Sequence, residues 1–211
     1  MIKLNKGPEP EILTRNGVRW TQELLAAVAA EDKDSVKSIT KRYNHPEVKA
    51  ALKLETNEKC AYCEAKVTDV AHGDIEHVTP KSVVRDRTFD WSNLTFACQI
   101  CNQNKTDKED ILAPYNEDPD DNIFFAAAFA KGRTPLGQRT VLELKLNRAA
   151  LIESRHREIE RYANEIEKIF LVDDERTKRL LLDSLLEDLE TKRPEFIAAC
   201  RTVLNHYNSG G

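Results

Sequence analysis

The sequence predicts an α+β fold that is mainly α-helical, a small cysteine-stapled core with N- and C-terminal helical extensions. Three observations predict it. Residues 60–110 are turn-rich and dense in Cys, His and Asn, whereas beyond about residue 134 the apolar side chains recur at helical spacing. Four of the five cysteines form two CxxC pairs, Cys60/Cys63 and Cys98/Cys101, with 34 residues between them. A length of 211 residues with 40% hydrophobic content supports one ordinary core with extensions packed on it.

The elements follow in order. The first 18 residues carry Pro8-Glu9-Pro10 and two glycines, and read as an extended arm. Thr21 is the expected cap of a helix through Leu24, Leu25, Val28 and Ala29, with Glu23 at its positive end. A second helix is expected over about Pro46 to Thr56, with Pro46 in the first turn. Glu76-His77 are expected at the end of a strand, and the cluster Pro114–Asp121 closes the central unit. Beyond it, Ile123-Phe124-Phe125 is expected as a strand and Lys131-Gly132-Arg133 as a turn. Leu142, Leu144 and Leu146 lead into a helix from Arg148 to about Leu171. Asp173-Asp174 starts another through the leucines of 180–189, and Pro194 opens the last, which buries Cys200. The organisation is therefore 1–59, an arm and helices; 60–113, the cysteine-stapled core; and 114–211, a helical region open to docking a partner.

Lys and Arg total 32 against 36 Asp and Glu, a formal net charge of −4. That excludes a polycation that binds nucleic acid by bulk charge. Residues 60–113 are acidic by three, with 6 basic and 9 acidic groups, while residues 131–161 hold eight Lys/Arg against four Glu and could track phosphates. The N-terminus lacks the apolar run of a signal peptide and no stretch is long enough to span a bilayer, so a cytoplasmic protein with reduced thiols is expected.

Two CxxC knuckles direct four thiolates at one ion, and a closed four-sulfur set suits a structural Zn²⁺. A redox reading is disfavoured because each pair has a twin and a βαβ context is missing. Between the knuckles lie Asp74-Ile75-Glu76-His77 and Asp90-Trp91-Ser92-Asn93-Leu94, and the second knuckle continues into Asn102-Gln103-Asn104-Lys105. Neighbours in a strand point to opposite faces, so either the backbone brings Glu76 and His77 to one site or only one of them is functional. Asp74 joins Glu76 only if the strand is bulged and is otherwise a surface group. Trp91 reads as core, and His72 as a turn residue.

In this order and between zinc knuckles, these groups resemble the HNH endonucleases with a ββα-metal active site. The resemblance implies His77 as general base, Asn93 as the middle residue of the catalytic motif, and Glu76 and Asn102 as ligands of a catalytic divalent ion, Mg²⁺ or Mn²⁺. The family more often has Asp before the histidine and His at the third position; both replacements keep an oxygen ligand. An amide does not titrate, so the work expected of Asn93 is to hydrogen-bond the backbone and fix the loop that carries His77. Lys81 and Lys105 are candidate phosphate contacts. Within this group the chain is similar to the PtuB-type nuclease subunits of Septu antiphage systems and the HNH effectors of some retrons. That likeness rests on the N-terminal stretch with Pro8-Glu9-Pro10, Cys60–Glu64, Ile75–His77 with Pro80-Lys81, Trp91–Leu94, Cys101-Asn102 with Lys105, and Leu144–Arg148. It implies a nucleic acid substrate, with DNA favoured, and an ABC-type ATPase partner of the PtuA type. The competing reading is a non-catalytic zinc module that binds a partner or nucleic acid.

Overall fold

The computed structural model describes residues 1–69, 71–191 and 194–208. Among them, helices dominate. α1 (Glu11–Ala29), α2 (Lys33–Thr40) and α3 (Pro46–Glu55) precede the central unit, in which β1 (Asp74–His77), β2 (Leu94–Ala97) and α4 (Gln99–Lys105) form a ββα arrangement. A short α5 (Pro119–Asn122) leads to the hairpin β3 (Ile123–Ala126) and β4 (Phe129–Gly132), then α6 (Pro135–Glu143), α7 (Ala149–Phe170), α8 (Glu175–Glu190) and α9 (Ile197–Asn208). No described helix is long and apolar enough to cross a membrane.

The N-terminal helix begins eleven residues earlier than the sequence suggests, capped at Pro10 and not at Thr21. Pro10 stands at its N-cap, where a missing N–H costs nothing, and Glu11 faces the positive end. Gly17 is absorbed inside the helix because Leu13, Trp20, Leu24 and Ala27 bury one face. The true arm is therefore residues 1–10, and it is tied down: Met1, Ile2 and Leu4 are buried, Leu4 N–H donates to the Pro114 carbonyl, and Lys6 Nζ reaches the Leu94 carbonyl. Trp91, a core residue as expected, donates its indole N–H to the Gly7 carbonyl at 2.8 Å. α2 had no strong sequence signal. Its cap is Asp32, whose carboxylate accepts from the Ser35 N–H.

β1 and β2 pair antiparallel without a bulge, Asp74 opposite Ala97 and His77 opposite Leu94. Entry into β1 requires Gly73, which has φ +63°, and a Cβ there would lie 2.2 Å from the Phe96 ring. The first CxxC is a tight turn between Lys59 and Lys66, and Ala61 N–H bonds the Phe96 carbonyl on β2. Because β2 runs directly into the second CxxC, that single bond fixes the distance between the two knuckles.

Three C-terminal expectations are corrected. Lys131-Gly132 belongs to β4, and the reversal lies at Ala127-Ala128, where Ala127 takes φ 51° without the Gly or Asn that normally marks such a turn. Leu142 is exposed on α6, whereas Leu144 and Leu146 are buried beyond its end. Pro194 does not open the last helix, which starts at Ile197 after Phe196 in a left-handed conformation. The helices predicted from Arg148 and Asp174 are α7 and α8, and Asp174 accepts from the Thr177 N–H as its cap. One apolar cluster runs from Leu13 and Leu24 through Leu52, Phe96 and Leu112 to Leu144 and Leu151, so the central unit shares its core with helices on both sides. A second cluster joins the arm to Tyr162, Ile166, Leu189 and Ile197.

Candidate active site and zinc centre

The four knuckle sulfurs converge within 4.8 Å of one another and form no disulfide. Tetrahedral zinc with Zn–S bonds of about 2.3 Å requires sulfur separations of about 3.8 Å, and Cys63 Sγ lies 3.9 Å from Cys98 Sγ. The donor set and its burial therefore fit a structural zinc. Cys98 also caps α4, its sulfur accepting from the Cys101 N–H. Four thiolates around a divalent ion leave two surplus negative charges, and Arg148 stands over them. Its guanidinium nitrogens lie 3.7–4.0 Å from the sulfurs of Cys63, Cys98 and Cys101. Spacing alone gives no hint of this contact across the chain. The signal was confined to the Leu144–Arg148 string that precedes α7.

A cleft of about 520 Å³ opens between β1, the loop after it and α4. Glu76, His77, Lys81 and Asn102 line it together. Glu76 and His77 reach one cleft because His77 is the last residue of β1 and the chain leaves the sheet there.

His77 is buried, and its Nε2 lies 3.0 Å from the Thr88 carbonyl. A carbonyl only accepts, so Nε2 carries the proton and Nδ1 keeps its lone pair. Burial pulls the imidazole pKa down to about 4 against the weaker opposing pull of the Thr88 bond, so the ring is neutral near pH 7. Tyr43 packs edge-on against it with ring centroids 4.6 Å apart.

Asn93 is fully buried and clamps the loop after His77. Its Oδ1 accepts from Thr79 N–H at 2.7 Å, and its Nδ2 donates to the carbonyls of Thr79 and Arg87. It does not line the cleft; its three bonds hold the chain around His77.

Asp74 and Glu76 alternate onto the same face of β1, opposite α4. Asn102 donates from Nδ2 to Asp74 Oδ2 at 2.9 Å, so Oδ1 is the atom it could offer to a cation. Asp74 is thus half-buried and orients Asn102. A carboxylate oxygen from Glu76 with an amide oxygen from Asn102 forms a hard donor pair that fits Mg²⁺ or Mn²⁺.

Lys105 is corrected from a phosphate contact to a buried one. It is 0% exposed, and its Nζ lies 3.0 Å from Glu76 Oε1 and 2.8 Å from the His77 carbonyl. Asn102 and Lys105 are three residues apart on α4, so one helix face meets Asp74 and Glu76 in succession. Burial raises the Glu76 pKa above the ordinary carboxylate range, and Lys105 opposes that rise. Lys81 remains at the mouth of the cleft.

The two-strand pairing, the helix that carries the second knuckle and the cleft between them make the ββα unit explicit. Residues 60–108 match the HNH endonuclease family model. This HNH unit takes in both knuckles, β1, β2 and α4. Over a longer span the chain is similar to Septu protein PtuB of Bacillus thuringiensis, 30% identical over 152 residues, covering 70% of this chain and 55% of that protein. It is also similar to Septu protein PtuB of Bacillus mycoides (strain KBAB4), 25% identical over 222 residues, 86% of this chain and 74% of that protein. The chain thus spans little more than half of the first of these relatives.

Outside the HNH unit, the sequence reading missed Arg155. Its guanidinium is buried in α7, donates to the carbonyls of Ala128 and Leu146, and lies over the rings of Phe125 and Phe196. It pins the hairpin and the start of α9 to α7, so this part of the basic 131–161 segment is structural.

Proposed function

We propose that this chain is a metal-dependent HNH endonuclease that hydrolyses phosphodiester bonds in nucleic acid, DNA before RNA. The observation that carries the reading is the single cleft lined by Glu76, His77, Lys81 and Asn102. A divalent cation held by Glu76 and Asn102 would supply Lewis-acid stabilisation of the scissile phosphate and the leaving oxygen. His77 takes the proton of the attacking water at Nδ1, while its Nε2–H stays on the Thr88 carbonyl and keeps the ring from turning. Asn93 holds the loop that carries both Thr79 and Arg87, and Lys81 adds positive charge at the mouth. The zinc centre holds α4, and so Asn102, at its distance from β1.

The Septu likeness supports a role as the cytoplasmic effector of an antiphage defence complex, with an ABC-type ATPase of the PtuA type as partner. The acidic balance of residues 60–113 agrees, since such a unit gains from a partner that delivers substrate. The test is cleavage of plasmid DNA and of RNA by the full chain with Mg²⁺ or Mn²⁺, alone and with an ATPase encoded beside it. Metal-dependent scission that the ATPase stimulates is expected. Absence of scission under both conditions would refute the reading.

A further inference from the structure

A second groove adjoins the cleft on its N-terminal side, about 590 Å³ in volume, between the end of α1, α2 and the loop after β1. Its floor is apolar, with Val28, Val36 and the ring of Tyr43, while its rim carries Lys33, Lys37, Lys41, Lys81 and Arg85 against the single acid Glu31. Lys33, Lys37 and Lys41 recur at intervals of four and so line up along α2 and the turn after it. In a chain of net charge −4, five cations around one groove are a concentration that overall composition does not reveal.

The groove is continuous with the site. Lys81 lines both, and its Nζ lies 5.3 Å from the centre of the Tyr43 ring, which in turn packs on His77. Cations along the rim match phosphates, and an apolar floor matches the face of a base. A duplex keeps its bases stacked and paired, and would leave that floor uncovered.

We infer that this groove binds the substrate strand next to the cut in unpaired form, phosphates on the lysines of α2 and a base over Val36 and Tyr43. The inference rests on the nuclease reading for its substrate, but its own test is binding. Fluorescence anisotropy of a labelled oligothymidylate, without added divalent ion, compares the full-length chain with Lys33→Gln/Lys37→Gln. Both lysines are exposed, so the fold is retained, and circular dichroism checks this. The double variant should bind roughly tenfold more weakly and lower the slope of log affinity against log salt by about 1.4, which is two single-strand phosphate contacts. An abasic oligonucleotide of equal charge should also bind roughly tenfold more weakly, and a hairpin duplex more weakly than the open strand. Unchanged affinity in the variant would refute the groove as the binding surface, and equal binding of the abasic strand or the duplex would refute the unpaired base. Binding that maps to the groove without any cleavage would retain the groove and reject the nuclease. Cleavage that ignores both lysines would do the reverse.

Discussion

Lys105 Nζ lies 3.0 Å from Glu76 Oε1 with both side chains almost wholly buried, joining the third element of the ββα unit to its first at the proposed metal ligand. Removing one partner of a buried ion pair strands the other charge, which costs far more than replacing both. Lys105→Met should therefore lower unfolding stability by about 3 kcal/mol, and Glu76→Met/Lys105→Met should recover most of it. Urea unfolding of the three proteins measures this. Equal stability of Lys105→Met and wild type would show that the pair does not persist in solution.

Asn93 makes two donated bonds and one accepted bond to the loop around His77. Asn93→Asp keeps the shape and the accepting oxygen but loses both donors and faces the carbonyls of Thr79 and Arg87 with negative charge. Cleavage turnover should fall by roughly a hundredfold, as expected for about 3 kcal/mol of lost positioning, with KM little changed. Loss confined to KM would place Asn93 in substrate binding instead.

The neutral state of His77 sets a pH dependence of stability. Its folded pKa of about 4 lies below the 6.5 of a free imidazole, so the unfolded chain takes up a proton that the native ring refuses. Stability from this group is complete above pH 6.5 and is lost as pH falls toward 4, by up to about 3 kcal/mol. In His77→Gln, where the amide can still donate to the Thr88 carbonyl, that portion of the acid sensitivity should vanish. Denaturant titrations at pH 7 and pH 4.5, without added divalent ion, decide it.

Arg148 stands over the knuckle sulfurs at the start of α7, where it would offset the surplus charge of a four-thiolate zinc centre. Arg148→Gln should release zinc to a chromophoric chelator roughly tenfold faster than wild type, because partners outside the ligand sphere tune metal affinity on that scale. Purified wild type should hold one zinc per chain and Cys98→Ser none. A metal-free wild type prepared without chelator would rule out the centre.

The cysteine knuckles, a strand ending at His77 and the long α7 could be read in advance because local pattern encodes them: CxxC spacing for the first, helical periodicity for the last. What escaped the sequence depends on partners distant in the chain. Lys105 looks like any surface lysine until β1 places Glu76 beside it, and Arg148 and Arg155 become structural only when α7 packs on the knuckles and the hairpin. The reversal at Ala127-Ala128 was invisible because tertiary packing, and no turn residue, imposes the left-handed conformation. α2 was missed for a related reason: its stability comes from the Asp32 cap and the packing of Ile39, while its exposed lysines resemble a solvated loop.

The central claim is that His77 activates water for a metal-dependent cut. Cleavage of nucleic acid by zinc-loaded wild type and His77→Ala, each with saturating Mn²⁺ and each confirmed as folded, tests it most directly. Loss of at least roughly a hundredfold in the variant, the scale of general base catalysis, is the predicted result. Equal cleavage by the two proteins would contradict the account.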